Sequence, residues 1–452
     1  MPLSPRTAAV WLAFAALAVQ AAASEVPTDN KKLGTIFNSD INGLLICVDI
    51  GDQTAAEYRQ LVDQMLSMRM NVLAQNVGMP DPVIYRSRAA TTWDKYHEGT
   101  VFSLWPQYGR DWARWQSGVI RSMFASGTDP LQITIEECRK RGTLCVASYR
   151  MNAQDFYDRE LDLQDFGRKH RGWAIPGACC LDPAIPGVYK HRMAIFREVL
   201  NNCDVDGIEL DFLRTHNMVS DPLKNYTVLT QMVRDVRRLL DASAKSKGRN
   251  KLLLGVRVMP ILGGEFRKED FPGASYGPPT NTSCKDKGLD VATWIKERIV
   301  DYVCPSLFEP ASVPRTREFA DLAKGTNVGI YPTIFSQPGW VEGVWPGDEK
   351  NPILDSPEVR QRHRSEVCKW ALQCYADGAD GISTYNWPRC GPDGRPGIMW
   401  HMEKDQTMTP HDATKRSDYP YYIGASHGCF EVCRDICRRL ASPDSLRRCA
   451  QP

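Results

Sequence analysis

Apolar runs of strand length alternate along the chain with segments in which apolar residues recur at helical spacing. Eight runs predict strands, and they cover residues 43–50, 70–77, 144–150, 204–214, 252–259, 300–307, 328–334 and 381–386. The segments that predict helices cover residues 54–69, 129–141, 188–202, 227–242, 291–298, 315–324 and 356–376. Strands that are apolar along most of their length and separated by helices are typical of a parallel sheet.

Eight strand–helix units predict an α/β fold of the closed (β/α)8 barrel type. An open doubly wound sheet is the alternative, but no GxGxxG sequence follows a predicted strand. Three long connections, residues 80–128, 260–289 and 335–355, each follow a strand and therefore belong to the face where barrel active sites lie. Their tryptophans could stack on sugar rings or pack under their own loops, and they are Trp93, Trp105, Trp112, Trp115, Trp340 and Trp345.

The two ends of the chain differ from the predicted barrel. Residues 1–23 contain the basic Arg6, an apolar run and three consecutive alanines, which predicts a secretory signal peptide and an exported, extracellular protein. The barrel is expected to occupy residues 24–400, and residues 401–452 to form a loop and a short cysteine-rich segment. No later segment has the length and apolarity of a membrane span.

The cysteines indicate an oxidising compartment. There are 15 of them, an odd number, so at least one is not paired within the chain. Cys429, Cys433 and Cys437 lie four residues apart on a predicted helix, which is expected to be held by disulfides to other parts of the chain. Zinc binding with His427 is the alternative. Two tripeptides, at Asn225 and Asn281, are glycosylation acceptors in a eukaryotic protein.

The formal net charge of +2 gives no reason to expect a nucleic acid or an acidic membrane as partner. The sequence has no HExxH motif or paired-histidine spacing, so no metal and no cofactor are expected. The alternative is a metal site that His97, His216 and His401 form with the acidic residues. No phosphate-binding loop occurs. The expected partner is a carbohydrate, and the sequence leaves the oligomeric state undefined.

The strongest chemical signal is the run DVDGIELDFLR at residues 204–214. Glu209 and Asp211 are two residues apart in a predicted strand and share one face, while Ile208, Leu210 and Phe212 share the other. Hydrolysis of a glycosidic bond usually needs a proton donor and a second carboxylate close to it. The alternative is an acidic strand end that caps a helix or pairs with an arginine.

Arg257 on the predicted fifth strand is expected to pair with one of these carboxylates and keep it ionised, which leaves the other as the acid. Glu309, after the sixth strand, is the third predicted catalytic residue, with Asp49 on the first strand as runner-up. Further polar or aromatic residues at strand ends are predicted to bind sugar together with Asp49 and Arg257, and they are Tyr149, Arg150, Asn152, Arg214, Tyr331, Tyr385, Asn386 and Trp387.

Several spaced motifs resemble those of glycosyl hydrolase-like family 10. Residues 129–142 (DPLQITIEECRKRG) are similar to the family's "DPL…IEExxKRG" helix, and residues 149–152 (YRMN) to the end of its "hAWxRxN" strand. Residues 181–200 resemble its "LDxxxPxVxxYRLxxIREVL" helix, and residues 204–214 its "YDVDGIxxDxxR" strand. Weaker matches occur at residues 256–258, 288–294 and 378–382.

This resemblance covers most of residues 129–387 and implies a (β/α)8 barrel with glycoside hydrolase-like activity on an extracellular carbohydrate. Many members of the family have histidine or another residue at the position of Glu209, so the resemblance carries over Asp211 more directly. The leading hypothesis is an exported glycoside hydrolase with Glu209 as general acid and Asp211 as nucleophile, base or electrostatic support. The alternatives are a carbohydrate-binding barrel without catalysis and a scaffold or adhesion protein that contacts its partner through the cysteine-rich tail.

Overall fold

Nine parallel strands form the central sheet of the computed structural model. They are β1 (Thr35–Ser39), β2 (Val72–Gly78), β3 (Leu144–Arg150), β4 (Gly207–Asp211), β5 (Leu253–Val258), β6 (Tyr302–Pro305), β7 (Gly329–Ile330), β8 (Thr333–Phe335) and β9 (Ile382–Tyr385). The residues that the structure describes are 25–40, 45, 48–95, 106–151, 164–178, 180–213, 217–271, 278, 281–308, 312–335, 357–385 and 427–450.

Two short strands close the sheet into a barrel. β7 pairs with β6, and β8 pairs with β9, so the strand order runs β7-β6-β5-β4-β3-β2-β1-β9-β8. Only Tyr331 and Pro332 separate β7 from β8. The Tyr331 N–H donates to the Val303 carbonyl at 2.9 Å, and the Ser383 N–H donates to the Pro332 carbonyl at 3.0 Å. β7 and β8 are therefore the two halves of one barrel strand, and the fold is the predicted closed (β/α)8 barrel.

Helices surround the barrel, and α1 to α9 lie between strands along the chain whereas α10 and α11 follow β9. They are α1 (Thr54–Leu66), α2 (Pro106–Ala125), α3 (Pro130–Arg141), α4 (Asp165–Lys169), α5 (Pro186–Asn202), α6 (Pro222–Ser246), α7 (Val291–Lys296), α8 (Thr316–Ala323), α9 (Pro357–Ala376), α10 (His427–Leu440) and α11 (Pro443–Cys449). The ends of α3 show how the sequence sets such boundaries. Asp129 accepts a hydrogen bond from the Gln132 N–H at 2.8 Å, and Gly142 ends the helix in the left-handed conformation with φ 67°.

The two faces of the strands differ in polarity. In β4, Ile208 and Leu210 point into the large apolar layer between strands and helices, and Glu209 points to the barrel interior. The lower interior is apolar and belongs to a separate cluster that includes Val26 and Leu33 from the segment before β1. This segment packs against the amino-terminal end of the barrel interior, and the active sites of (β/α)8 barrels lie at the opposite end, where the carboxyl ends of the strands meet. The lower cluster also contains Ile36, Val72, Ala74, Leu144, Val146, Leu253, Tyr302, Cys304 and Tyr331.

The carboxyl-terminal segment packs on the outside of the barrel. Helices α10 and α11 contact α9, and a disulfide joins Cys368 of α9 to Cys449 of α11. Cys437 of α10 is a buried free thiol, so the expectation that it forms a disulfide is wrong. The disulfide supports the prediction of a stapled tail, whereas the side chains of Cys429 and Cys433 lie outside the described residues. None of the described helices has the length and apolarity needed to cross a membrane.

Two expectations about the elements are wrong. The first strand is Thr35–Ser39 rather than residues 43–50, where the described Leu45 is helical and Val48 lies in a bend. A short apolar run fits a buried helix or loop as well as a strand, and the polar Asn38 and Ser39 concealed the true strand. The connection at residues 80–128 is not all loop, because it contains α2.

Trp93 is 6% exposed and packs in the apolar core, which is the second of the two alternatives for the loop tryptophans. Trp112 and Trp115 lie on α2, and Trp105, Trp340 and Trp345 lie outside the described residues. Asn281 is fully buried and accepts a hydrogen bond from the Phe308 N–H at 2.7 Å, which leaves no room for a glycan at its amide.

Candidate active site at the mouth of the barrel

Strand register brings three charged side chains together near the carboxyl ends of the strands. Asp211 of β4 is in register with Arg150 of β3 on one side and with Arg257 of β5 on the other. All three are at most 3% exposed. Residues in register on neighbouring parallel strands lie side by side, so Arg150, Asp211 and Arg257 form one charged layer.

Asp211 is held from two directions. Arg257 Nη1 lies 3.2 Å from Asp211 Oδ2, and the Leu213 N–H donates to Asp211 Oδ1 at 2.9 Å. Arg257 Nη2 also donates to Ser306 Oγ at 3.1 Å. The ion pair expected between Arg257 and a fourth-strand carboxylate is therefore present, and the partner is Asp211.

Arg150 forms the second ion pair of this layer. It contacts Asp40, which follows β1, and donates from Nη2 to the Tyr385 hydroxyl at 3.2 Å. Burial alone would lower the pKa of Arg150, but the charge of Asp40 and the neighbouring Tyr385 and Asp211 outweigh it, and the pKa is raised. Arg150 therefore remains a cation at every pH at which the protein folds.

Tyr385 of β9 joins the two ion pairs. The Arg257 guanidinium lies 3.8 Å from the centre of the Tyr385 ring, a cation–π contact, and the Tyr385 hydroxyl donates to Asp40 Oδ2 at 3.4 Å. One aromatic side chain thus connects the Asp211–Arg257 pair to the Asp40–Arg150 pair across the barrel.

Glu209 lies one layer deeper and is fully buried. Ser148 of β3 donates to its Oε1 at 2.9 Å, and the Tyr302 hydroxyl of β6 donates to its Oε2 at 3.1 Å. No arginine hydrogen-bonds to Glu209 among the described residues, so this carboxyl group, unlike Asp211, is held by neutral donors.

Gly255 explains how Tyr302 reaches Glu209 from two strands away. Gly255 lies on β5, in register with Glu209 of β4 and Tyr302 of β6. A Cβ atom at this position would lie 2.0 Å from Tyr302 Cζ and 2.3 Å from its hydroxyl oxygen. The missing side chain therefore leaves the space through which the Tyr302 ring crosses β5.

The environment of Glu209 keeps it protonated at a higher pH than an ordinary glutamate. Burial is the main cause, the negative charge of Asp211 adds to it, and together they raise the pKa of Glu209 to about 7. The hydrogen bonds from Ser148 and Tyr302 and the charge of Arg257 act in the opposite direction but are weaker. The site therefore pairs an arginine-bound aspartate with a glutamate that holds its proton near neutral pH, the combination expected of an acid and a second carboxylate.

The structure brings together five of the predicted site residues, Glu209, Asp211, Arg150, Arg257 and Tyr385. It places three others elsewhere. Tyr149 faces the helices, where its hydroxyl lies 2.8 Å from that of Tyr85 and its ring contacts Phe196 edge-on. The side chain of Tyr149 must point away from the interior because that of Arg150, the next residue in the strand, points into it.

Tyr331 and Asp49 are the other two corrections. The Tyr331 hydroxyl donates to the Asn30 carbonyl at 2.6 Å at the amino-terminal end of the barrel, far from the charged layer. Asp49 is not on a strand but in the turn before α1, where its N–H donates to Glu57 at 2.9 Å and its carbonyl accepts from Thr54. The remaining predicted residues lie outside the described part of the chain, and they are Glu309, Asn152, Arg214, Asn386 and Trp387.

Sequence reasoning missed Asp40, Ser148, Tyr302 and Ser306. Asp40 was missed because the first strand was misplaced, and an acid directly after the polar end of β1 was the available signal. Ser148 could have been found because it lies two residues before Arg150 on the same face of β3. No sequence signal singles out Tyr302, whose role depends on the gap at Gly255 in another strand.

Metal binding finds no support in the described residues, which include no group of three or more histidine, cysteine, aspartate or glutamate side chains placed to hold an ion. His97, His216 and His401, the histidines considered as ligands, lie outside those residues.

The chain is similar in sequence to a bacterial glycosyl hydrolase. It is 24% identical over 280 residues to glycosyl hydrolase DigH of Escherichia coli K12. The aligned region covers 55% of this chain and 63% of DigH. The DigH protein of Escherichia coli O6:H1 is 25% identical over 285 residues. The chain thus spans less than two thirds of the length of these relatives. No protein-family model matches it, so membership of glycosyl hydrolase-like family 10 stays a prediction.

Solved structures with similar folds include two carbohydrate-active enzymes. An alpha-amylase from Geobacillus thermoleovorans, complexed with acarbose, has a TM-score of 0.44 at 11% identity and covers 94% of this chain and 81% of its own. PbGH5A, a glycoside hydrolase family 5 enzyme from Prevotella bryantii B14, has a TM-score of 0.40 at 10% identity. The match covers 91% of this chain and 99% of the PbGH5A chain. At these scores the likeness adds nothing to the barrel established by strand pairing.

Proposed function

We propose that the protein is an exported glycoside hydrolase that acts on an extracellular poly- or oligosaccharide, and that it is related to glycosyl hydrolase-like family 10. The observation that carries the proposal is the pair of β4 carboxyl groups with different environments. Asp211 is bound to Arg257, whereas burial raises the pKa of Glu209 to about 7. The similarity to an Escherichia coli glycosyl hydrolase supports the same reaction class, and residues 1–23 support export.

The order of the two layers suggests the roles of the carboxyl groups. Asp211 is the last residue of β4, nearer to the open end of the barrel than Glu209. A sugar that enters from that end meets Asp211 first, so Asp211 acts as nucleophile, base or electrostatic stabiliser of the positive charge that develops on the ring. Glu209 is the proton donor because burial raises its pKa to about 7, so it retains its proton close to neutral pH.

Arg150 and Arg257 then serve the reaction by fixing and stabilising charge rather than by exchanging protons. Arg257 orients Asp211, and the ring of Tyr385 and the hydroxyl of Ser306 hold Arg257 in place. Arg150 and Asp40 form a second polar pair at the same level, suited to hydrogen bonds with sugar hydroxyl groups. This arrangement is built before substrate binds, which avoids reorganisation during the reaction.

A carbohydrate-binding barrel without catalysis is the second candidate, and one observation favours it. Glu209 is fully buried and both of its oxygens are occupied by Ser148 and Tyr302. A carboxyl group in that position could act only as part of the interior network, while Arg150, Asp40 and Asp211 bind sugar.

Reducing-sugar release from a panel of purified polysaccharides, measured together with binding isotherms, separates the two candidates. For a hydrolase, Glu209→Gln and Asp211→Asn should each abolish turnover while binding and folding persist, and Glu269→Gln, at an exposed position, should match the wild type. Full turnover in both site variants would contradict the catalytic assignment. Saturable binding by the wild type with no product would establish the binding barrel instead.

A further inference from the structure

Two buried cysteines meet between β3 and α3. Cys138 lies in the last turn of α3, Cys145 is the second residue of β3, and each is 1% exposed. Both side chains belong to the apolar layer between strands and helices, whereas Leu144 and Val146, on either side of Cys145, face the barrel interior. The two thiols are in hydrogen-bonding contact with each other, and both are free in the structure.

The backbone between the two cysteines holds them opposite each other. Gly142 ends α3 in the left-handed conformation with φ 67°, and the Thr143 N–H donates to the Cys138 carbonyl at 3.0 Å. The chain therefore turns back on itself after α3 and enters β3 at once. Only six residues separate Cys138 from Cys145, so bringing the two thiols together in the unfolded chain costs little entropy.

Burial restricts the stage at which these thiols react. The contact with Cys138 and burial hold the pKa of the Cys145 thiol well above its usual range, so the folded protein has almost no Cys145 thiolate near neutral pH. The thiolate is the form that attacks a disulfide. In the unfolded chain both thiols are exposed to water and react as ordinary cysteines. Oxidation of this pair therefore belongs to folding.

We propose that Cys138 and Cys145 form a disulfide when the chain folds under oxidising conditions, and that this bond ties α3 to β3. The oxidant is a small-molecule disulfide such as oxidised glutathione. The two cysteines give up two electrons and two protons as their sulfur–sulfur bond forms, and the sulfur–sulfur bond of the oxidant breaks to give two thiols. Because β3 carries Ser148 and Arg150, the cross-link anchors a strand of the candidate active site.

Cys203 is the competing partner for Cys145. It directly follows α5, is half-buried, and interacts electrostatically with the Cys145 thiol. The hydrogen-bonding contact of Cys145 is with Cys138, which is also much nearer along the chain. The structure therefore favours the pair Cys138–Cys145 over the pair Cys145–Cys203.

Peptide mapping of the full chain tests the proposal. The wild type is unfolded in urea with a reductant, refolded with oxidised and reduced glutathione, alkylated with iodoacetamide and digested with trypsin without reduction. Trypsin cuts after Arg139 and Arg141, so Cys138 and Cys145 fall in separate peptides, residues 122–139 and 142–150, each with one cysteine. We expect these two peptides to be recovered joined, at the sum of their masses less two hydrogen atoms, and to separate on reduction.

Two controls and two contrary outcomes complete the test. Refolding in reductant alone should give peptides 122–139 and 142–150 singly and alkylated. Peptide 269–285, which holds the buried thiol of Cys284, should be single in both conditions. Peptide 142–150 joined to peptide 198–214, which contains Cys203, would overturn the pairing. Recovery of 122–139 and 142–150 only as single peptides from cooperatively refolded protein would overturn the bond itself. Neither outcome depends on glycan turnover or on export.

Discussion

Replacing Glu209 with glutamine should change how the stability of the protein depends on pH. Glutamine has nearly the shape of a protonated glutamate: its Oε1 can accept from one of the two hydroxyl groups, those of Ser148 and Tyr302, and its Nε2 can donate to the other. It cannot ionise. The substitution therefore removes the titration of Glu209 from the folded state and leaves the packing of the barrel interior close to that of the wild type.

The size of the effect follows from the two pKa values of the glutamate. The pKa of Glu209 is about 7 in the folded protein, and a glutamate in an unfolded chain has a pKa of about 4.3. Between these values the folded state holds a proton that the unfolded state has lost, so the free energy of unfolding falls as pH rises. From pH 5 to pH 8 this group alone removes about 2.5 kcal/mol, at 1.36 kcal/mol for each pKa unit.

Urea unfolding of the wild type and Glu209→Gln at several pH values between 5 and 8 measures this directly. The difference in unfolding free energy between the two proteins should shift by about 2.5 kcal/mol in favour of the variant as pH rises. Glu269→Gln, at an exposed surface position, is the matched control and should follow the wild type. If the unfolding free energies of the wild type and Glu209→Gln changed with pH by the same amount, the conclusion that burial holds a proton on Glu209 would be refuted.

Three further substitutions test the network around this residue. Arg257→Met leaves Asp211 as a buried charge without its cation and should lower the unfolding free energy by about 3–5 kcal/mol in urea, with part of the loss recovered when Asp211 is replaced by leucine as well. Gly255→Ala puts a methyl group into the Tyr302 ring and should cost about 1–3 kcal/mol, with the ring displaced in a crystal structure of the variant. Tyr149→Phe removes a hydroxyl pair in the outer layer, so it should cost about 1 kcal/mol of stability and leave ligand binding and turnover unchanged; a large loss of turnover would return Tyr149 to the site.

The barrel could be predicted because its signals are local. The apolar strands from β2 to β6 and the helices between them follow from periodicity, and the Glu209–Asp211 face follows from alternation within β4. The first strand could not be predicted, because its carboxyl end is polar and lacks the apolar pattern of the other strands. β1 is also short, five residues, and a stronger apolar run follows it.

The site was predicted where one strand or two adjacent strands supply the information, and the contact of Tyr302 was missed because three strands must be combined. The Asp211–Arg257 pair follows from two adjacent strands and a need for charge balance. The contact of Tyr302 with Glu209 depends on the register of three strands and on a glycine in the middle one. The prediction that Tyr331 binds sugar was wrong for a related reason. The sequence alone does not show at which end of the barrel a side chain in an interrupted strand lies.

The disulfide between Cys368 and Cys449 has a consequence for the covalent integrity of the barrel. Its two cysteines are 81 residues apart, and β9 with Tyr385 lies between them. A protease that cuts the backbone once inside this interval yields two polypeptides that remain one molecule, with the final strand still covalently attached to the barrel on one side, through the backbone or through the disulfide. Such a nick would be visible on a reducing gel and invisible on a non-reducing one. In an environment that contains proteases, a single cleavage would therefore not release the strand that connects the two ion pairs of the mouth.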